Sequence, residues 1–247
     1  MLPTTSVGLF GGMGPAAGVD LLQRFVQACA DLMAASGTEV KDQNYPFHYL
    51  AQAPVPDRTQ ALLGTEEQRT AVMAALCAEL DRFRLLQVSA VAIACNTAHA
   101  WHAALQARYP AIELVHIAGE TAKAAAKLGV KSVVLLATKG TYANGIYQPF
   151  FEQAGITCHI PADAEKDSLM KGIYQGVKAG DFAMGTQEFG AVASAMCQRT
   201  GCGAVVMGCT EIPLALQQQS VGDQVRLIDP TTVLAQALAR RAYGVVD

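Results

Sequence analysis

The sequence contains no apolar run of the roughly 18 residues that a membrane span requires, so no segment reads as a transmembrane helix. It also lacks a block of like charges and a basic stripe. With a net charge of −3 and a pI of about 5.9, neither nucleic acid nor an anionic membrane surface is expected as a partner. Charged residues are scarce, at 16% against 51% hydrophobic, which excludes a disordered chain. There is no C-x-x-C pair. The seven cysteines are odd in number and scattered through a chain of 247 residues that needs no covalent staples. Free thiols in a reducing, cytoplasmic setting are the expectation. The opening MLPTTSVGLFGG has no basic start followed by an apolar stretch, so no secretory leader is expected.

What the chain does have is alternation. Short β-rich runs at Val7–Phe10, Phe47–Ala51, Val88–Ala94, Leu114–Ile117, Val133–Ala137, Thr157–Ile160, Val205–Gly208 and Arg226–Ile228 are separated mostly by segments of helical spacing. Leu21, Leu22, Phe25, Val26 and Cys29 form one such face. Val72, Ala75, Leu76, Leu80 and Phe83 form another, interrupted by the polar Glu79. Strands that are near-continuously apolar and alternate with helices imply mostly parallel sheets covered on both faces. A weak duplication is visible. "VGLFGGMGP" and "VVLLATKGT" each read as a strand and a small-residue turn, and each precedes a later strand ending in cysteine, "AIACNT" and "VVMGCTE". The fold class predicted is α/β, with two pseudo-symmetric domains, each a mostly parallel sheet flanked by helices. The first domain is expected over residues 1–105 plus 214–247 and the second over 106–213, with the strand at 226–228 and the helix at 231–242 returning to the first. No Pro/Gly/Ser linker marks the joints.

In open parallel sheets ligands bind beyond the carboxyl ends of the strands. Cys95 and Cys209 both stand at such ends. Asn96 and Thr97 can cap a helix running through Ala98–Arg108, and Thr210 precedes Glu211 and Pro213 at a second expected helix start. A thiol at a helix N-terminus has its pKa lowered from about 8.5 toward neutrality, which would make either cysteine a usable base. The other five cysteines, Cys29, Cys77, Cys158, Cys197 and Cys202, read as packing or turn residues. No metal site is expected: Cys197, Cys202 and Cys209 lack ligand-pair spacing, and His99, His102 and His116 form no metal motif. Gly12–Ala17 fits G-x-G-x-x-A, but the second strand ends near Gln52 and Ala53 where a dinucleotide site needs an acid. The turn reads instead as one whose backbone N–H groups approach a small anion or substrate. In "APVPDRT", a proline-stiffened loop on the same edge, Arg58 reads either as a carboxylate clamp or as a surface arginine paired with Asp57.

Together "GLFGGMGP", "PDRT", "ACNTAH" and "GCTEIP" resemble the cofactor-independent aspartate/glutamate racemases, and among them the aspartate racemase branch. The motifs bracket residues 8–213 in family order. Glutamate racemases of the cell-wall type usually carry an acid and a histidine where this chain has Gly11 and Glu211. The resemblance implies an active site in the interdomain cleft, a catalytic pair formed by Cys95 and Cys209, a carboxylate clamp at Arg58, and Met13 lining the pocket. It further implies that Asn96, Thr97, Thr210 and Thr138 or Thr141 hold the α-carboxylate and amine, with Glu211 beside them. Relatives place a lysine in the segment matching Asp163–Tyr174. Lys166 and Lys171 compete for that role, and the best register falls on Ser168. The expected substrate is a small dicarboxylic amino acid, with aspartate and glutamate both open and no PLP or other cofactor. A homodimer is also implied. Racemisation requires a proton to leave one face of Cα and another to arrive on the opposite face. Two thiols can do this when each stands about 3–3.5 Å from the carbon. A maleate isomerase- or decarboxylase-like lyase or isomerase on the same scaffold, and a non-catalytic amino-acid binding protein, remain as alternatives.

Overall fold

Strand–helix alternation is realised as two separate parallel sheets. The computed structural model describes residues 1–245. The first unit comprises Met1–Glu120 together with the chain from Thr231 onward, and the second comprises Thr121–Pro230. In the first, the elements run β1 (Val7–Gly11), α1 (Pro15–Ala35), β2 (His48–Gln52), α2 (Arg58–Leu63), α3 (Glu66–Leu85), β3 (Ala90–Ile93), α4 (His102–Arg108) and β4 (Glu113–Val115). The sheet order is β2-β1-β3-β4, and every pairing is parallel.

The period-two alternation of strand side chains sorts this sheet's two faces. Val7 and Leu9 point to one side with Ala90, Ala92 and Ala94, against Leu21, Phe25 and Met33 of α1. Phe10, Val91 and Ile93 point to the other, against Val72, Leu76, Leu80 and Phe83 of α3. Glu79, the polar break in the α3 face, is buried with its carboxylate 2.6 Å from Arg82 Nη1. Pro15 starts α1 at a position where no backbone donor is needed. Thr65 and Gln68 close a capping box on α3. Packing over β1 is tight at Gly8, where an added Cβ would lie 2.7 Å from the Phe83 ring and 3.0 Å from Val91 Cγ2. Gly8→Ala is expected to cost about 1–3 kcal/mol by overpacking, read as a lower urea midpoint with an unchanged slope.

The chain passes between units within α5 (Ile117–Lys127). The second unit holds β5 (Ser132–Ala137), α6 (Lys139–Ala143), α7 (Gln148–Gln153), β6 (Thr157–His159), α8 (Asp163–Lys171), α9 (Phe182–Thr200), β7 (Ala204–Gly208) and β8 (Arg226–Ile228). Its sheet order, β6-β5-β7-β8, repeats that of the first strand for strand and is again parallel throughout. Helix α9 is capped by Asp181, which accepts from Met184 N at 2.9 Å, and ends at Gly201 in the left-handed region. It packs against β5 and β7.

The joints differ from the sequence expectation for a definite reason. β4 pairs with β3, so residues 106–120 stay with the first unit. β8 pairs with β7, so residues 214–230 stay with the second, and strand 226–228 does not return. Only α10 (Pro230–Ala242) returns, laying Leu234, Leu238 and Ala242 on the α1 side of the first sheet. Strand pairing depends on long-range register, which local sequence does not carry.

Candidate functional site

In the first unit the chain leaves β1 for β2 on one side, while β3 lies on the other. The segments following β1 and β3 therefore diverge at the carboxyl edge, which is where such a sheet opens a crevice. Gly12, Met13 and Gly14 follow β1; Ala94 and Cys95 follow β3. Ala94 N donates to Phe10 O at 2.8 Å and Cys95 N to Ile93 O at 2.8 Å, so the two segments begin side by side. Met13 and Cys95 belong to one buried cluster with Phe10, Val55 and Trp101. Gly12 adopts φ +93°, and a Cβ there would lie 2.3 Å from Ala53 O. Only glycine fits the turn. Gly12→Ala is expected to cost roughly 2–3 kcal/mol from left-handed strain and the backbone clash together. A melting curve checks the stability, and the activity should fall further than the stability loss explains because the Met13 turn moves with it.

Arg58 opens α2 and is buried. Its Nη1 donates to Val55 O and Pro56 O, each at 3.1 Å, and its Nη2 to Met13 O at 2.6 Å. The guanidinium is thus oriented by backbone carbonyls and ties the proline loop to the β1 turn. Asp57 caps α2 by accepting from Gln60 N at 2.8 Å. The helix cap expected at Asn96 and Thr97 is not formed. Asn96 is itself helical, at φ −58° and ψ −48°, and a 3-10 turn over Thr97–Trp101 precedes α4. Both residues are buried. His99 Nδ1 lies 2.9 Å from Cys95 O. His99 Nε2 lies 3.4 Å from Val115 O; since a carbonyl can only accept, the closer contact takes the neutral ring's proton on Nδ1, and the imidazole steadies the cysteine's backbone.

Cys209 follows β7 directly, the position in the second sheet that matches Cys95 in the first. The register Ala137↔Gly208 sets Thr138 alongside Cys209. Thr138 caps α6: its Oγ1 accepts from Thr141 N at 3.2 Å and lies 3.1 Å from Thr141 Oγ1. Both threonines are buried. No helix starts after Cys209, contrary to the sequence expectation. The chain makes turns instead, with Ile212 N donating to Cys209 O at 3.0 Å and Leu216 N to Ile212 O at 2.8 Å.

The expected lowering of the Cys209 pKa is therefore reversed. Its Sγ donates to Glu211 Oε2 at 3.0 Å, and Thr210 Oγ1 donates to the same oxygen at 3.2 Å. Burial, then the Glu211 charge, push the Cys209 thiol well above its ordinary range.

Lys166 pairs with Asp163 at 2.9 Å and lies 5.6 Å from the Tyr142 ring centroid; Lys171 pairs with Glu188 at 2.6 Å. A third lysine, Lys178, has its Nζ 3.4 Å from Glu211 Oε1 and 5.4 Å from the Tyr174 ring centroid. It reaches this place because α8 runs into a π-helical turn at Gly172–Gly176 and a 3-10 turn at Val177–Ala179, closed by Gly180 at φ +88°. Irregular backbone of this kind leaves no periodic mark, so nothing in the sequence pattern singled out Lys178. Among the described residues, no group of three His, Cys, Asp or Glu side chains is arranged to hold a metal ion, and no helix is long and apolar enough to cross a membrane. All seven cysteines are free.

Comparison with known proteins accords with this geometry. The family model described as Asp/Glu/Hydantoin racemase matches residues 10–238. The aspartate racemase of Picrophilus torridus superposes with a TM-score of 0.76 at 26% identity, covering 97% of this chain and 94% of that one. An aspartate racemase homologue from Pyrococcus horikoshii OT3 gives 0.74 at 22% identity, covering 97% and 99%, a likeness of fold. The broad specificity amino-acid racemase RacX of Bacillus subtilis (strain 168) is 27% identical over 149 residues, which is 60% of this chain and 61% of that protein.

Proposed function

We propose what this chain catalyses from one premise: it belongs to the Asp/Glu/Hydantoin racemase family. The reaction is the interconversion of L- and D-aspartate by proton transfer at Cα, with Cys95 and Cys209 as the two bases and no PLP. The observation that carries the reading is topological. Each cysteine stands just beyond the equivalent central strand, at the same switch point, of two sheets with the same strand order. Racemisation is a symmetric problem, since either enantiomer must be deprotonated and its mirror image reprotonated. Two equivalent units with one thiol each are suited to it. The similarity to an aspartate racemase at 26% identity supports aspartate as the substrate.

In the proposed reaction one sulfur, as thiolate, removes the Cα proton. The electron pair left on carbon delocalises into the α-carboxylate, and the other sulfur, as thiol, delivers its proton to the opposite face. Charge developing on the carboxylate needs donors already in place. Asn96, Thr97 and Thr210 are assigned that work, with Thr138 and Thr141. Thr138 follows β5 as Cys209 follows the neighbouring β7, and its Oγ1 accepts from Thr141 N. Arg58 is proposed to clamp a carboxylate with donors oriented by the Met13 turn, while Met13 fills the apolar wall. Lys166 or Lys178 supplies a cation for the second carboxylate.

The test is proton NMR in D₂O with each enantiomer of aspartate and of glutamate, following deuterium entry at Cα beside chiral analysis of the product. Deuterium entering with inversion of either aspartate enantiomer supports the reading. Absence of both exchange and inversion for all four amino acids overturns it. An amino-acid binding protein would bind aspartate without exchange, and a decarboxylase-like relative would consume a dicarboxylic acid irreversibly.

A further inference from the structure

Two chemically matched cysteines have unequal surroundings, and the inequality is concentrated at Cys209. Its thiol donates to Glu211 Oε2 at 3.0 Å, in a pocket where Cys209, Thr210 and Glu211 are all buried. The other carboxylate oxygen faces Lys178 Nζ at 3.4 Å, and the lysine in turn lies over the Tyr174 ring. Two more titratable groups interact with this thiol electrostatically from neighbouring segments. Tyr142, on α6, donates its phenol proton to Leu135 O at 2.9 Å and accepts from Ala137 N at 2.7 Å. Tyr147, before α7, is fully buried. Burial drives both phenols upward and keeps them neutral. The charges acting on the sulfur are therefore the Glu211 carboxylate and the Lys178 ammonium, with the carboxylate the nearer of the two.

We infer that Glu211, paired with Lys178, is a positioning residue that holds Cys209 in its protonated form in the resting enzyme, so that Cys209 waits as the proton donor. The inference rests on the reading of Cys209 as a catalytic thiol. A thiolate 3.0 Å from a carboxylate would lose its hydrogen bond and meet a like charge where both groups are buried. The thiol suffers neither penalty. When Cys209 gives its proton to the carbanion, it becomes a thiolate next to Glu211 while Cys95 holds the substrate's proton. The resting state returns when Cys95 releases a proton to solvent and Cys209 takes one from it, or when the reverse turnover runs. Glu211 thus biases the chain toward one of the two protonation forms that racemisation uses.

A kinetic consequence follows. A racemisation has no preferred direction at equilibrium, so kcat/KM must be equal for the two enantiomers at any pH. The bias can appear only as a split of KM and kcat between them, because apparent affinity falls with the fraction of enzyme in the competent form. The enantiomer that needs Cys209 as thiol has the lower KM and the lower kcat.

The experiment is alkylation of the full-length protein with iodoacetamide from pH 6 to pH 10, with the modified fraction of each cysteine read peptide by peptide. In Glu211→Gln the Cys209 alkylation rate at a fixed mildly alkaline pH is expected to rise at least about tenfold, the equivalent of one pKa unit, with the Cys95 profile unchanged. Glu211→Asp keeps the charge and should stay near wild type. The ratio of KM values for the two aspartate enantiomers should narrow in Glu211→Gln and hold in Glu211→Asp. A Cys209 profile unmoved by Glu211→Gln overturns the inference, and so does one moved equally by Glu211→Asp. Because alkylation needs no turnover, its result stands apart from the function. Racemisation with an unmoved profile sinks only the role of Glu211, whereas a moved profile without racemisation sinks only the activity.

Discussion

A Cys209→Ala enzyme is expected to interconvert the aspartate enantiomers at least about 10³-fold more slowly than wild type, in both directions, and Cys95→Ala should do the same. Removing a positioned acid or base typically costs 10²–10⁴-fold. Each variant here loses a base for one enantiomer and the acid for the other, so neither direction escapes. The two losses are not additive, because the thiols act in a single event, and the double variant should be hardly worse than either single one. The remaining thiol gives a sharper signature. It can still remove and return the proton on its own face, exchanging it for deuterium without inversion. Residual Cα exchange should therefore be confined to one enantiomer in Cys209→Ala and to the opposite one in Cys95→Ala. Near wild-type inversion in either variant would end the two-base scheme. A one-thiol lyase would instead survive one substitution and fail with the other. The buried free thiol Cys29, pushed up to about 12 chiefly by burial, supplies the control, because Cys29→Ala removes a packed thiol from the α1 face and should leave the rate unchanged.

How much of this was legible before the fold was known varies by residue. All eight strands among the described residues were visible. The central ones were so because a strand covered on both faces must be apolar along its length, as Val7–Gly11 and Ala204–Gly208 are, buried at every position, and the partly exposed edge strands β2, β6 and β8 as short β-rich runs between turns. The places of Cys95 and Cys209 followed from the same signal, as the first residues past an apolar run. Local rules failed where tertiary contacts decide. Asn96 has the chemistry of a cap, yet it lies inside a helical turn. Thr210 and Pro213 resemble a helix start, yet the chain turns at Ile212 and gives the thiol a carboxylate neighbour in place of a helix end. Arg58 could be recognised as a site candidate, but not the three carbonyls that orient it, which come from two loops brought together by the β1–β2 pairing. Lys178 was invisible, since its position depends on a π-helical turn between α8 and α9.

Acid should loosen the first unit more than a chain of this composition would suggest, because His99, His102 and His116 cluster beside the Cys95 segment. The ring centroids of His99 lie 5.9 Å from His102 and 5.1 Å from His116, and those of His102 and His116 are 4.4 Å apart. Burial, then the neighbouring His102, lower His99 to about 4; burial, then His99 and His102, lower His116 to about 2. The geometry explains the direction at His116, whose Nδ1 accepts from Gly119 N at 3.3 Å and would lose that bond on protonation. Both groups are neutral in the fold and take up protons near pH 6.5 once it opens, so their contribution is complete above that pH. It is lost as pH falls from 6.5 through about 4 for His99 and on toward about 2 for His116, where the unfolded chain binds more protons than the folded one. At pH 5 the loss is about 2 kcal/mol for the fully buried His99 and up to as much again for the less buried His116. Urea unfolding at pH 7 and pH 5 measures it. His116→Gln, which keeps an acceptor near Gly119 without the titration, should reduce the drop between the two pH values by up to half. An unchanged drop would place the acid sensitivity elsewhere. Because opening this segment frees His99 and His116 to take up protons, the protection factors at Cys95–Trp101, corrected for the slower intrinsic exchange in acid, should fall on acidification before those of the β1–β3 pairing.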